Sequence, residues 1–217
     1  MSAFVVQNHL NYSVGEEKTH LIGKDVVLDS WDEIETDLYV PFAINGKPVN
    51  TIGNFCFDDF SKLKNIHLPD TIKNINHNSF QNCASLMSVD FPEALEWIGN
   101  YAFYGCKSLK YVNIPPKVIF VNEGVFKDCI NLRTVRLSEN TAEIGYNAFQ
   151  NCSSLETISI PSKIKYIHTK AFSGCENIKH VFFSEAFVTR PDADEIFAQM
   201  FEAGLRTREV LLRIPTL

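Results

Sequence analysis

Cysteine and histidine are the residues of this 217-residue chain most able to do chemistry, and there are six of each. Cys83, Cys106, Cys129, Cys152 and Cys175 recur every 23 residues, while Cys56 falls outside that series. A zinc site needs close pairs such as C-x-x-C, or interleaved histidines, and neither pattern occurs. Nor can equivalent positions on successive repeats all pair as disulfides, because five is an odd number and the side chains share one direction. The expectation is a column of small, buried thiols, which suits a reducing compartment. His9, His20, His67, His77, His168 and His180 form no H-E-x-x-H, and none stands in a recognisable nucleophile motif. The glycines build no phosphate-binding loop. No catalytic residue, metal ligand or cofactor is assigned, and the chain is read as non-enzymatic.

One short motif points to a partner instead. Lys117-Val118-Ile119-Phe120 resembles the K/R-V-x-F peptide that docks on Ser/Thr protein phosphatase 1 as an added edge strand, with Val and Phe in pockets. Lys179-His180-Val181-Phe182-Phe183 fits a looser form. Val118 and Val181 both belong to core columns of the repeat described next, so docking would require extracting a buried side chain; Phe120 does not.

The elements behind these residues come from a repeat. Phe57, Phe80, Phe103, Phe126, Phe149 and Phe172 lie 23 residues apart without insertion or deletion. Six residues after each comes Leu63, Leu86, Leu109, Leu132, Leu155 or Ile178. Further apolar columns fall nine and eleven residues on, as in Val112 and Ile114, with Pro next in four repeats. Five and eight residues before the Phe stand two more, interrupted only by Thr141. An apolar pair at period two marks a short strand, which Pro then ends because it has no N–H for a ladder. The I-x-x-I segment returns along the other side of the coil. Gly53, Gly99 and Gly145 follow its second apolar residue, where a turn with positive φ is expected. One unit cannot bury its own apolar face, so six must stack.

The unit A-F-x-x-C-x-x-L-x-x-I-x-I-P-x-x-I-x-x-I-G, seen from Ala148-Phe149 through Ile160-Pro161 to Ile167, resembles the BspA-type leucine-rich repeat over about residues 38–184. Departures are Phe60 in place of the first Cys, and Ser138 and Ser184 in place of Pro. The resemblance implies a curved right-handed solenoid without enzymatic activity, in a family with many surface adhesins. The fold expected is an α/β leucine-rich-repeat solenoid, β-rich with little helix. A β-rich cap spans residues 1–50, repeats span 51–184, and a helix-plus-strand cap spans 185–217. In the first cap, Phe4–Val14 and Leu21–Leu28 read as hairpin strands around Gly15-Glu16-Glu17-Lys18. In the last, Pro191, the acids Asp192, Asp194 and Glu195, and Gly204 bound an amphipathic helix of about three to four turns. Its alternative role is to bind a partner. Val210, Leu212 and Ile214-Pro215 follow as a final strand.

Function is then left to the surface. The residues flanking each strand's central apolar position line the outer sheet face, and Tyr111, Arg133, Arg136 and Phe182 are the expected contacts, because aromatic and Arg side chains carry much interface energy. A formal charge of −6 argues against nucleic acid. No apolar run is long enough to span a membrane, and no leader pattern opens the chain. The leading expectation is an intracellular protein-binding scaffold or regulator, cytoplasmic or nuclear. A phosphatase-docking subunit and a cell-surface adhesin are the alternatives.

Overall fold

A computed structural model describes residues 12–14, 19–21, 36–44, 46–205 and 209–213. Each 23-residue unit is one coil of a solenoid, and each places one short strand in an eight-stranded parallel sheet. In order these strands are Asp37–Tyr39, Asn65–His67, Ser88–Val89, Tyr111–Asn113, Thr134–Arg136, Thr157–Ile160, His180–Ser184 and Glu209–Arg213. Between the repeats the register is the repeat itself: Tyr111 pairs with Thr134, Thr134 with Thr157 and Thr157 with His180. On the other side of the coil the I-x-x-I segments give two-residue strands. Phe120–Val121, Glu143–Ile144 and Tyr166–Ile167 pair in parallel; Lys47–Ile52 pairs in parallel with Asn74–Ile75, which in turn pairs with Trp97–Ile98.

The apolar columns meet inside. All six repeat Phe side chains are fully buried, and successive rings lie 5.1, 5.1, 5.6, 5.6 and 5.3 Å apart, within 19° of parallel. The cysteines have a structural use. The thiols of Cys83, Cys106, Cys129, Cys152 and Cys175 each donate to the carbonyl of the Phe one coil earlier, at 3.0–3.2 Å. A thiol is small enough for the column and supplies the donor that an alanine would lack. All six cysteines are free and buried. At the turn after each strand, the N–H of Ile72, Leu95, Val118, Thr141 and Ile164 donates to the carbonyl three residues back. Ser138 serves where Pro is missing, its Oγ accepting from the N–H of Asn140.

Glycine does not mark the left-handed turn residues where the repeat places them. Gly99 and Gly145 are not left-handed; positive φ falls two residues further on, at Phe55, Asn78, Tyr101, Gly124, Asn147 and Lys170, and again at Asp59, Asn82, Gly105, Asp128, Asn151 and Gly174. Gly99 is required for closeness, since a Cβ there would lie 2.6 Å from the backbone nitrogen of His77.

At the N-terminal end Tyr12–Val14 and Thr19–Leu21 pair antiparallel, and the second of them adds in parallel to Lys47–Ile52. The remainder of that hairpin, including its turn at Gly15–Lys18, lies outside the described residues. At the C-terminal end the helix is Ala193–Glu202, ten residues and so under three turns, shorter than expected. It is preceded by a four-residue helix, Glu185–Val188, that the sequence did not announce. Its end is set by tertiary bonding: the Ala203 carbonyl accepts from the N–H of Phe172, and the Gln199 side chain accepts from the N–H of Ile167. Ala193, Ile196 and Met200 are buried, so the helix closes over the last coil. Arg190 secures its approach, donating to the carbonyls of Ser162 and Ile164 and pairing with Asp192. Val210 and Leu212 lie in Glu209–Arg213, which pairs in parallel with His180–Ser184; Ile214 and Pro215 lie outside the described residues.

Candidate functional site

Strand geometry sends alternate side chains to opposite faces, and in every repeat strand the central Ile or Val is buried while its neighbours face out. Two rows therefore run across the sheet. One holds Asn65, Ser88, Tyr111, Thr134, Thr157 and His180; the other holds His67, Asp90, Asn113, Arg136, Ser159 and Phe182. Adjacent strands in a sheet stand ~4.8 Å apart.

Of the four expected contacts, Tyr111 is 43% exposed in the first row, and Arg136 (exposed) and Phe182 (half-buried) belong to the second. Arg133 is exposed at the sheet margin, immediately before its strand. The fold brings Arg136 and Phe182 together. They are separated only by Ser159, about 10 Å apart across two strand spacings, and the small serine leaves a shallow hollow between them. Arg136 also lines a second hollow with Asn113, Ser138, Glu139 and Asn140, so that it and Ser159 border both depressions. Tyr111 lies three strands from His180, roughly 14 Å, outside both hollows.

A stacked pair at the first end of this face went unread in the sequence: Tyr39 lies on His67 with centroids 4.0 Å apart and planes 12° from parallel. The signal was present, because Leu38-Tyr39-Val40-Pro41 places Tyr39 in the same row one coil before His67.

The Lys117–Phe120 segment is divided by its packing. Lys117 is exposed beside Glu96 at 3.9 Å, and Phe120 is 38% exposed, but Val118 is 1% exposed in the core. Docking through this tetrapeptide would withdraw Val118 from its column, at about 1.5–3 kcal/mol.

The buried thiols are poor nucleophiles. Desolvation pushes Cys56 up to about 12, and Cys106, Cys129 and Cys152 also lie well above the usual thiol range for the same reason. Among the described residues no group of three or more His, Cys, Asp or Glu could hold a metal ion. No helix among them is long and apolar enough to cross a membrane.

One solved structure shares this geometry, and others align more loosely. A leucine rich repeat protein of T. pallidum has the same fold at TM-score 0.68 and 22% identity, covering 93% of this chain and 96% of that one. A leucine-rich repeat protein from Bacteroides capillosus aligns at TM-score 0.48 and 24% identity, covering 59% and 93%. A leucine rich cell surface protein from Faecalibacterium prausnitzii aligns at TM-score 0.37 and 14% identity, covering 95% and 94%. No curated protein matches the chain significantly. Six copies of the BspA type leucine rich repeat region match over residues 42–135 and 98–202. The chain belongs to the BspA-type leucine-rich-repeat family.

Proposed function

We propose that this chain is a non-catalytic protein-binding module, a scaffold or regulator, that engages its partner with the outer face of the eight-stranded sheet. The observation carrying this reading is the pair Arg136 and Phe182 flanking Ser159. Arg and aromatic side chains beside a small residue offer a charged anchor, an apolar anchor and a seat between them, the composition that concentrates binding energy. Tyr111 and Arg133 extend the surface across neighbouring coils. In this reading the module works inside the cell, in a reducing compartment, where buried thiols used as hydrogen-bond donors stay reduced. Phosphatase docking is not part of the proposal, because Val118 is occupied by the core.

The test is site-specific photo-crosslinking in native extract, with the reactive group placed at Ser159 or, as a control, at Thr169 on another side of the coil. Adducts are expected from Ser159 and should disappear when Tyr111, Arg133, Arg136 and Phe182 are replaced by alanine. Equal adducts from Thr169, or capture unaffected by the four replacements, would defeat the proposal. Labelling of intact cells with a membrane-impermeant reagent checks the compartment: a labelled chain is a surface protein.

A further inference from the structure

We infer that the sheet margin next to this face, built by Lys64, Met87, Lys110 and Arg133, binds an acidic peptide segment; this names the partner's chemistry and rests on the protein-binding reading above. These residues occupy one position of the repeat, immediately before each strand, and Glu156 and Lys179 continue the row. Backbone bonds hold the row in line. The N–H of Met87 donates to the Lys64 carbonyl at 2.9 Å, that of Lys110 to Met87 at 3.2 Å, and that of Arg133 to Lys110 at 2.9 Å. Glu156 and Lys179 follow in the same way at 3.2 and 2.9 Å.

Charge along the row is unbalanced. Glu156 is engaged by Lys179 at 3.9 Å, whereas Lys64, Lys110 and Arg133 are exposed with no ion pair among the described residues. Lys110 and Arg133 stand on adjacent coils, about 5 Å apart along the stack. Two exposed cations on adjacent coils can be engaged together by an anion bound across both. Apolar surface lies among the cations: Met87 is 39% exposed and Tyr111, next to Lys110, 43%. The complement is an extended segment carrying carboxylates on either side of an apolar residue. From Lys64 to Arg133 the row spans three coil spacings, roughly 14 Å, which four or five extended residues cover. A nucleic-acid strand fits less well, because the cation row stops at Glu156 and the chain as a whole carries −6.

The experiment is selection of a random peptide library, about twelve residues long to exceed this span, on the purified full-length protein at about 0.15 M salt. Enriched peptides are expected to carry two or more acidic residues around an apolar one. A representative peptide should bind the Lys110→Glu/Arg133→Glu variant at least roughly tenfold more weakly and the Glu156→Lys variant more tightly, with far-UV circular dichroism confirming that both are folded. No enrichment, enrichment without acidic bias, equal affinity for a charge-reversed folded variant, or equally tight binding of single-stranded DNA of matching length overturns the inference. Non-acidic peptides that are lost on replacing Arg136 and Phe182 by alanine would refute it while leaving the protein-binding face standing. Acidic peptides lost on charge reversal but indifferent to those two replacements would support it and count against the Arg136–Phe182 hollow.

Discussion

If the solenoid is held by a continuous ring ladder, removing one central ring should be far more damaging than its surface would suggest. Phe126 is fully buried and stacks at 5.6 Å on both Phe103 and Phe149, at 15° and 11°. Phe126→Ala removes the ring from a site whose neighbours are held by backbone ladders on both sides of the coil, so the cavity cannot collapse. Buried Phe→Ala replacements cost about 3–5 kcal/mol, and a site with little freedom to relax belongs in the upper half of that range. With a urea m-value of about 2–3 kcal/mol/M, the midpoint should fall by roughly 1.3–2.5 M. Phe126→Leu keeps most of the apolar volume and should cost about 1–2 kcal/mol. Far-UV circular dichroism follows the whole stack, and tryptophan fluorescence, from Trp31 and Trp97, follows the part of the chain before Phe126. Since each coil touches only its neighbours, the two signals should coincide in the wild type and separate in Phe126→Ala. A folded Phe126→Ala protein whose midpoint falls by less than about 0.3 M would refute the ladder as the source of stability.

Three further outcomes follow from named contacts. Thr141 stands in an otherwise aliphatic column, fully buried, and its hydroxyl has no hydrogen-bond partner among the described residues; Thr141→Val should stabilise by about 1 kcal/mol, read as a raised urea midpoint. Gly99→Ala forces a Cβ to within 2.6 Å of the His77 backbone nitrogen and should cost about 1–3 kcal/mol by overpacking, measured the same way. Burial raises the folded-state pKa of Cys56, Cys106, Cys129 and Cys152, so above pH ~8.5 the unfolded thiols ionise while the native ones stay protonated. The unfolded state then binds fewer protons, and stability that is complete below that pH is lost as pH rises, by ~1.4 kcal/mol per pH unit for each thiol. Denaturation midpoints measured from pH 8 to 10.5 should show this fall, and Cys106→Ala/Cys129→Ala should lessen its slope by about two protons.

How much of this could be read from the sequence depends on whether one letter has one physical cause. Phe at every twenty-third position has only one, burial in a stack, and the ladder follows. Glycine has two. Gly99 stands where another coil leaves no room for Cβ, whereas Gly124 combines φ +59° with the Tyr101 ring lying across it; the repeat pattern assigns Gly99 to turn geometry and passes over Gly124. The left-handed positions were further hidden because Phe55, Tyr101 and Lys170 occupy some of them, residues chosen for outward contacts such as the Tyr101 hydroxyl's bond to Glu123 at 2.5 Å. The helix fell short of its expected length because its last residues answer to Phe172 and Ile167 on the preceding coil, which no local pattern records. The surface was legible in position but not in relief: a repeat of 23 places Arg136 and Phe182 two coils apart, yet the hollow between them exists because Ser159 is small. The same distinction separates fold from function. Residues that recur in every coil are already committed to stacking, so recognition must use positions where the coils differ. Along the row before the strands they differ in a directed way, with Lys110 and Arg133 sharing a sign on adjacent coils of an otherwise acidic chain. Stacking gives no reason for that arrangement, and an acidic partner does.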